Sequence, residues 1–435
     1  MQLLCLMKSG KSLKKEKKVK HKSFYIYQIA DIIFTSSCRS VGMLLAWVMI
    51  NYHSLKVELG WFITSSWAIQ VITLILFSSL SEKFNKKNII LLCVMIASIS
   101  LISLNFDHNI APFKLGAIYI LTSLLCIVVQ PIGSSIVPTL YEGNDLERAF
   151  RIRGFVNSIN TVIGAIVSGF VIKFFSPQDT VLILSYLSVL SLLLFMSVKI
   201  KTFHKEDFNT DKISSSHILV KNRVERLLVS VSALSNFIIT PTLMYIAPIL
   251  VIENYGLSSL ELGVSEATFG LGMVFGSMFL CNKINNFIGV RYSTVMSIVL
   301  VSFGLLAVLV IDNIYALYIG FFICGLGMVM YNINTTKIRC SATPSDIRNS
   351  FESIFLAVCI LPIPAGVAFS TYMIDIGGTT NLLIFFSASI IIASILVLRS
   401  NDFAIVSLLK ESELDGYYSK MYPEAYLNNI QEKNI

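Results

Sequence analysis

Along this chain, apolar stretches of about 20 residues, the length that spans a bilayer core, alternate with short polar or charged breaks. Twelve runs can be drawn: 24–49, 58–81, 88–106, 112–138, 149–174, 179–198, 225–252, 260–282, 292–311, 314–336, 351–373 and 379–399. The breaks carry turn or charge signals, such as SEKFNKKN (81–88), EGND (142–145), FSPQD (175–179), IDN (311–313) and IGGTT (376–380). Gly and Pro inside the runs, Pro131 and Pro138 among them, are tolerated by membrane helices. The pattern predicts an all-α membrane protein of twelve transmembrane helices.

Composition supports that reading. Of 435 residues, 55% are hydrophobic and 14% charged, against about 25% charged in soluble domains. One water-facing globule cannot hide so many apolar positions. Charge placement then sets the topology. With the N-terminus inside, only Lys56, Lys114 and Lys173 of the 34 Lys and Arg fall outside, and Arg39 falls within the first run. All the others lie on the inner side, the asymmetry that the positive-inside rule requires. Both termini are therefore expected in the cytoplasm, with the chain in a bacterial inner (plasma) membrane. The lysine run from Lys8 to Lys22 reads as a disordered topology anchor near anionic lipid. Met1–Met7 is too short for a signal-peptide core, and basic residues follow it instead of preceding it.

Two sequence echoes divide the chain. NYHSLKVELG (51–60) returns as NYGLSSLELG (254–263), 203 residues later, with five of ten positions identical. Asp145-Leu-Glu-Arg-Ala-Phe150 returns as Asp346-Ile-Arg-Asn-Ser-Phe351, 201 residues later. The second helix thus maps to the eighth and the fifth to the eleventh. This predicts two six-helix pseudo-symmetric halves, 24–198 and 225–399, joined by a cytoplasmic linker 199–224. A basic tail 1–23 precedes them and a tail 400–435 follows. Duplicated halves of this kind recur in transporters, with the substrate site near mid-membrane at the repeat interface.

Catalytic chemistry finds little support. The eight cysteines, at 5, 38, 93, 126, 281, 324, 340 and 359, form no CxxC pair and read as small apolar fillers. The five His are scattered, and no nucleotide loop, triad or metal pattern is present. No enzyme activity, metal, cofactor or nucleic-acid partner is expected.

The helix 2–3 turn carries a family resemblance. Ser78-Ser-Leu80-Ser-Glu82-Lys83-Phe-Asn85-Lys86-Lys87-Asn-Ile-Ile90 resembles the signature G-x-L-x-D-R-x-G-R-K-x-x-L of the major facilitator superfamily, with Ser, Glu and Asn at three of its positions. Asn286, Gly289 and Arg291 are its remnants in the second half. Pro138-Thr-Leu with Asn144-Asp-Leu-Glu-Arg-Ala149, Gly164 and Gly169, and Thr343-Pro344 with Arg348, resemble the branch that holds the enterobactin exporter and macrolide-efflux pumps. Gly164-Ala165 stands where drug antiporters of the family often carry Gly-Pro, a departure that weakens any claim of drug antiport. The resemblance implies the major facilitator fold, with helices 1, 4, 7 and 10 lining a cavity, and export.

Charges inside the helices are the candidate coupling groups. An Arg or Asp at a helix centre costs roughly 2.5–3.5 kcal/mol on insertion scales, so each must face protein or water. Desolvation favours the neutral form of a carboxylate, which suits proton coupling. Asp31 reads as a proton or cationic-substrate site, or as a carboxylate snorkelling to the interface. Arg39 lies eight residues on, about 12 Å along the axis, and reads as an anion-binding or charge-balancing group, or as half of a structural ion pair. Glu266 reads as the coupling carboxylate, as a partner to Arg39 across the halves, or as an outer-vestibule residue. Gln130, Asn236, Asn332, Asn334 and Tyr245 are candidate substrate contacts, and interhelical hydrogen bonding explains any single one equally well. Glu82, Lys83, Lys86, Lys87, Arg348 and Glu352 are candidate cytoplasmic gate residues. A carboxylate at such a turn can accept from a neighbouring helix N-terminus; a solvated basic turn and helix caps are the simpler readings.

These residues together predict a secondary active transporter, a proton-coupled exporter of a small metabolite such as a siderophore, antibiotic or modified peptide, acting as a monomer. The alternatives are a proton-coupled uptake symporter, or, in another class, a non-transporting sensor or a membrane enzyme.

Overall fold

A computed structural model describes residues 2–80, 85–106, 110–141, 143–198, 215–310, 313–344 and 347–426. Among the described residues all regular structure is helical. Ten segments are long and apolar enough to cross a membrane, and two of them, 259–309 and 350–399, are 51 and 50 residues long. Each of these two contains a glycine at positive φ, Gly289 (φ 81) and Gly378 (φ 77), where the chain leaves helical geometry. A bilayer core takes about 20 residues, so each is long enough for two crossings, consistent with twelve.

The contacts divide the chain into two compact units, the described residues of 1–49 and 72–206, and those of 50–71 and 207–435. The first unit holds α1 (Gln2–Trp47), α3 (Lys86–Leu104), α4 (Pro112–Leu140), α5 (Gly143–Phe174), α6 (Pro177–Ser197) and the second part of α2 (Lys56–Leu80). The backbone of α1 is helical from Gln2, so the lysine run continues the helix in place of the disordered anchor expected. Eight lysines with Leu13, Glu16 and Val19 dominate this stretch, which holds no proline, and most of them are good helix formers.

Local signals start the other helices. Asn85 caps α3 by accepting from the Lys87 amide, and Ser176 caps α6 with Pro177 at its first position. α1 packs on α4, α5 and α6, and α3 packs on α4 and α6. Their shared core includes Phe24, Tyr27, Phe34, Val94, Val129 and Phe195. On α3 the residues Leu92, Met95, Ile99 and Ile102 are exposed, whereas Val94, Ala97, Ser98 and Leu101 are buried. The exposed set falls at helical spacing on one face. Such an apolar stripe is a liability in water and the expected lipid face in a bilayer.

The second unit holds α7 (Ser215–Lys221), α8 (Arg223–Pro241), α9 (Ala247–Ile249), α10 (Ser259–Phe275), α11 (Cys281–Val310), α12 (Ile314–Ala342), α13 (Arg348–Ile360), α14 (Ile363–Arg399), α15 (Asn401–Leu408), α16 (Glu411–Leu414) and α17 (Tyr417–Met421). Pro241 and Pro248 lack an N–H, and the helix widens into π turns at Thr242–Ile246 and Leu250–Asn254 beside them. Asn222 caps α8, Glu261 accepts from the Ser258 amide at the start of α10, and Asn313 caps α12. α12 packs on both α10 and α11, while α14 packs on α8 and α11.

The first NY…ELG stretch belongs to this second unit. Its Lys56 Nζ lies 2.8 Å from Glu253 Oε1, one residue before the second stretch begins. A Cβ at its last residue, Gly60, would run into the Thr371 side chain of α14, so glycine permits the close approach of α2 to α14.

Candidate functional site

Among the described residues, each unit buries a cluster of opposite charges. In the first, Asp31 on α1 and Arg153 on α5 are 3% and 4% exposed. Arg153 Nη1 donates to Asp31 Oδ2 at 3.2 Å, and Nη2 donates to the Gln130 carbonyl of α4 at 3.1 Å. The Tyr27 ring lies against the guanidinium, 5.7 Å from centroid to Cζ, within cation–π range. Gly133 on α4 makes room, because a Cβ there would meet both the Tyr27 hydroxyl and the Arg153 guanidinium. Asp31 Oδ1, the Tyr27 hydroxyl and both amide atoms of Gln28 are buried without a hydrogen-bond partner among the described residues. Buried polar atoms in that condition are costly.

A polar seam between α1 and α5 continues from this pair. Thr35 accepts from Asn160 Nδ2 at 2.7 Å, and Ser36 donates to Asn160 Oδ1 at 2.5 Å. Arg39 Nη1 donates to the Thr161 carbonyl at 3.1 Å, and Ser40 and Ser168 share a hydrogen bond at 2.6 Å. Asp31 and Arg39 therefore occupy one helix–helix seam, Asp31 meeting Arg153 and Arg39 meeting the Thr161 carbonyl, both on α5.

The second unit centres on Arg339 of α12. Its Nε and Nη2 donate to Glu352 of α13 at 2.6 and 2.9 Å, a forked contact on both carboxylate oxygens. Its Cζ sits 3.6 Å from the centroid of the Phe355 ring. Glu225 of α8, fully buried, places Oε2 3.9 Å from Arg339 Nη1 and accepts at Oε1 from the Tyr418 hydroxyl at 2.6 Å.

The other expected site residues are dispersed. Asn236 donates to the Cys359 carbonyl of α13 at 2.9 Å. Asn334 joins α12 to α11, accepting from Asn285 at 2.7 Å and donating to Ser293 at 3.2 Å. Asn332 and Gln130 have exposed side chains, Tyr245 is fully buried and Glu266 is half-buried on α10. Lys87 donates through Nζ to the Met196 and Val198 carbonyls at the end of α6, at 3.1 and 2.7 Å. That is the place where a cation satisfies the last carbonyls and the helix dipole. Lys86, next to it, is half-buried. Arg348 donates to the Thr343 carbonyl at 3.3 Å, across the turn between α12 and α13. Glu82 and Lys83 lie outside the described residues.

Sequence reasoning missed Arg153, Glu225, Arg339, Tyr27 and Tyr418. Arg153 falls inside the fifth run, near its start, where it counts among the topology-setting basic residues. Arg339 fell three residues beyond the tenth run, which stops where Lys337 interrupts the apolar pattern, although α12 continues to Ala342. Glu225 sat at the edge of the seventh run. A fuller signal was present for Arg153, which lies ten residues inside α5, where insertion of a charge calls for a partner; Glu225 and Arg339 lie within one turn of a helix end.

The sequence profile of the Major Facilitator Superfamily matches residues 29–240 and, overlapping them, 227–413. No curated protein sequence matches the chain. Among solved structures, the nucleoside transporter NupG superposes with a TM-score of 0.69 at 15% identity, over 87% of this chain and 99% of that one. A peptide transporter of the POT group gives 0.71 at 13% identity, over 89% and 95%. A D-xylose–proton symporter gives 0.69 at 11% identity, over 86% and 96%. At these identities the likeness establishes the fold.

Proposed function

The chain belongs to the major facilitator superfamily, and from that premise we propose that it is a proton-coupled exporter in which Asp31 is the coupling carboxylate. That it is a transporter follows from the family; the direction, the ion and the cargo are our reading. The observation that carries it is the buried Asp31–Arg153 pair, in which Arg153 Nη1 donates to Asp31 Oδ2 at 3.2 Å and Asp31 Oδ1 has no hydrogen-bond partner among the described residues.

A charge pair of this kind is suited to switching. With Asp31 ionised, the pair is neutral and α1 is tied to α5. Protonation of Asp31 removes the counter-charge and leaves the guanidinium to find another, since an uncompensated buried charge costs several kcal/mol. Rearrangement along the α1–α5 seam, where Arg39 also sits, links proton binding to motion of the first unit. Arg39 serves as the charge-balancing group of that seam, and Glu266 is the second candidate for coupling. Among the structural neighbours, one is named as a proton symporter.

For the cargo we propose a small metabolite such as a siderophore, antibiotic or modified peptide, in keeping with the resemblance to the enterobactin-exporter and macrolide-efflux branch. Gln130, Asn236, Asn332, Asn334 and Tyr245 are proposed as its contacts. The halves 24–198 and 225–399 are the proposed moving parts, with the gate residues of 82–87, Arg348 and Glu352 on the cytoplasmic side, where both tails lie. The membrane is the bacterial inner membrane and the protein acts as a monomer.

The test is transport by inverted membrane vesicles with an imposed pH gradient, screened over cargo of these classes. Asp31→Asn is expected to lose the response to the gradient and to keep exchange at equal concentrations. A full response in Asp31→Asn and in Glu266→Gln would overturn proton coupling at either residue. Accumulation in right-side-out vesicles instead would reverse the direction.

A further inference from the structure

The C-terminal segment after α14 is built into the second unit. Ser400 caps α15 by accepting from the Phe403 amide at 3.2 Å, and Phe403 and Val406 are fully buried where α15 meets α8 and α11. The chain then turns at Gly416, whose φ of 63 is one that a glycine adopts without strain. The Gly416 amide donates to the Ser341 carbonyl near the end of α12 at 3.3 Å. Leu414, Tyr418, Ala425 and Tyr426 are buried, and Tyr422 donates to Asp402 of α15 at 2.9 Å.

Tyr418 carries the segment into the charge centre. It is 0% exposed and donates at 2.6 Å to Glu225, also 0% exposed, 193 residues earlier in the chain. Glu225 Oε2 has no hydrogen-bond partner, and Arg339 Nη1, its nearest cation, stands 3.9 Å away. Among the described residues, the tail therefore makes the one hydrogen bond that the Glu225 carboxylate receives. Burial, and the Glu225 carboxylate beside it, hold the Tyr418 hydroxyl well above the ordinary phenol range. It is thus protonated and donates across the physiological range.

We propose that residues 411–426 form a strap that clamps the start of α8 to the end of α12, and that Tyr418 is a positioning residue, holding Glu225 so that Arg339 keeps its forked contact with Glu352. Any motion that parts those two helix ends must break the Gly416–Ser341 bond, the Tyr418–Glu225 bond, or both. Coupling of this sort is reciprocal: whatever weakens Glu225 loosens the strap, and whatever frees the strap loosens the start of α8.

Hydrogen–deuterium exchange of the full chain in lipid nanodiscs tests this without knowledge of the cargo. In the unaltered protein, amides of 411–426 should exchange far more slowly than those of an unstructured segment. Tyr418→Phe keeps the ring and removes only the hydroxyl. It should speed exchange about tenfold, in 411–426 and also in 222–226, as expected for loss of a hydrogen bond to a charged acceptor. Glu225→Gln approaches the same bond from the other side and should speed exchange in 411–426. The double variant should exchange no faster than Tyr418→Phe alone, since neighbours acting through one contact are not additive. A general packing loss would instead multiply the two effects. The proposal is overturned if the two effects multiply, if neither variant changes exchange in the other partner's segment, or if 411–426 is unprotected in the unaltered protein.

Discussion

The two buried charge centres use the same chemistry in different arrangements. In the first unit Asp31 accepts one hydrogen bond of 3.2 Å from Arg153, whose other Nη donates to the Gln130 carbonyl and whose face meets Tyr27, and Asp31 Oδ1 has no hydrogen-bond partner among the described residues. In the second unit one guanidinium is held by a forked carboxylate contact, an aromatic face and a second carboxylate that the C-terminal strap supports. Asp31 is thus held through one carboxylate oxygen, whereas Arg339 is gripped by both oxygens of Glu352 and flanked by Phe355 and Glu225. A pair that must exchange partners gains from having few to break, whereas one that fixes helix ends gains from redundancy.

That contrast breaks or sharpens under substitution. The largest effect should come from Arg339→Met, which leaves Glu225 and Glu352 facing each other without a cation. Removing one partner of a buried pair costs roughly 3–5 kcal/mol, and thermal unfolding in detergent should show it. Arg153→Met strands only Asp31, which can take up a proton, and is expected to unfold at a temperature closer to that of the unaltered protein. Equal losses for the two variants would erase the distinction between anchor and switch.

Gly133→Ala comes next. Its methyl group would displace the mobile ends of Tyr27 and Arg153 without touching backbone, at a cost of about 1–3 kcal/mol. The expected outcome is a folded protein whose transport no longer follows the pH gradient, read in the same vesicles as Asp31→Asn. Retained gradient response would show that the Asp31–Arg153 contact is not what couples. Phe355→Leu should be milder, losing the ring beneath Arg339 for roughly 0.5–2 kcal/mol. Melting of this variant and of Arg339→Met should shift in the same direction, the first by less.

The smallest effect near neutrality is that of pH on the strap. Burial, with Glu225 beside Tyr418 and with a hydrogen bond to Asp402 at Tyr422, raises both phenols above their ordinary value, and burial raises Tyr426. A group whose docked value is raised favours docking at full strength below its free value, about 10 for tyrosine. That contribution fades as pH climbs beyond it, because the released tail gives up protons that the docked tail retains. Exchange of 411–426 should therefore show no loss of protection from these phenols between neutral pH and about 10, and lose protection above it. Loss of protection already at neutral pH, in step with the unfolded reference, would contradict tyrosines held in the protonated, docked state.

The helices were legible because a bilayer leaves the chain few choices. Backbone polar groups must be satisfied within the segment, so apolar runs of sufficient length become helices whatever their neighbours. The runs ended where charge began, and this hid α12's last turns: Lys337 broke the apolar pattern, yet α12 goes on through Arg339 to Ala342. Asp31 and Arg39 could be singled out as charges needing company, since the cost of burying them is local. Their company could not be read.

The sequence by itself determined an all-helical membrane chain, its family and the asymmetry of its basic residues, because hydropathy, length and charge count are properties of each segment alone. Only the tertiary structure decided that Asp31 meets Arg153, 122 residues away, and that Tyr418 of the tail reaches Glu225, 193 residues away. Such pairings depend on how each helix is rotated about its axis and which neighbour it packs against. A one-dimensional pattern of apolar and polar positions carries neither, since a buried charge satisfies the same insertion cost with any partner that the packing brings within reach.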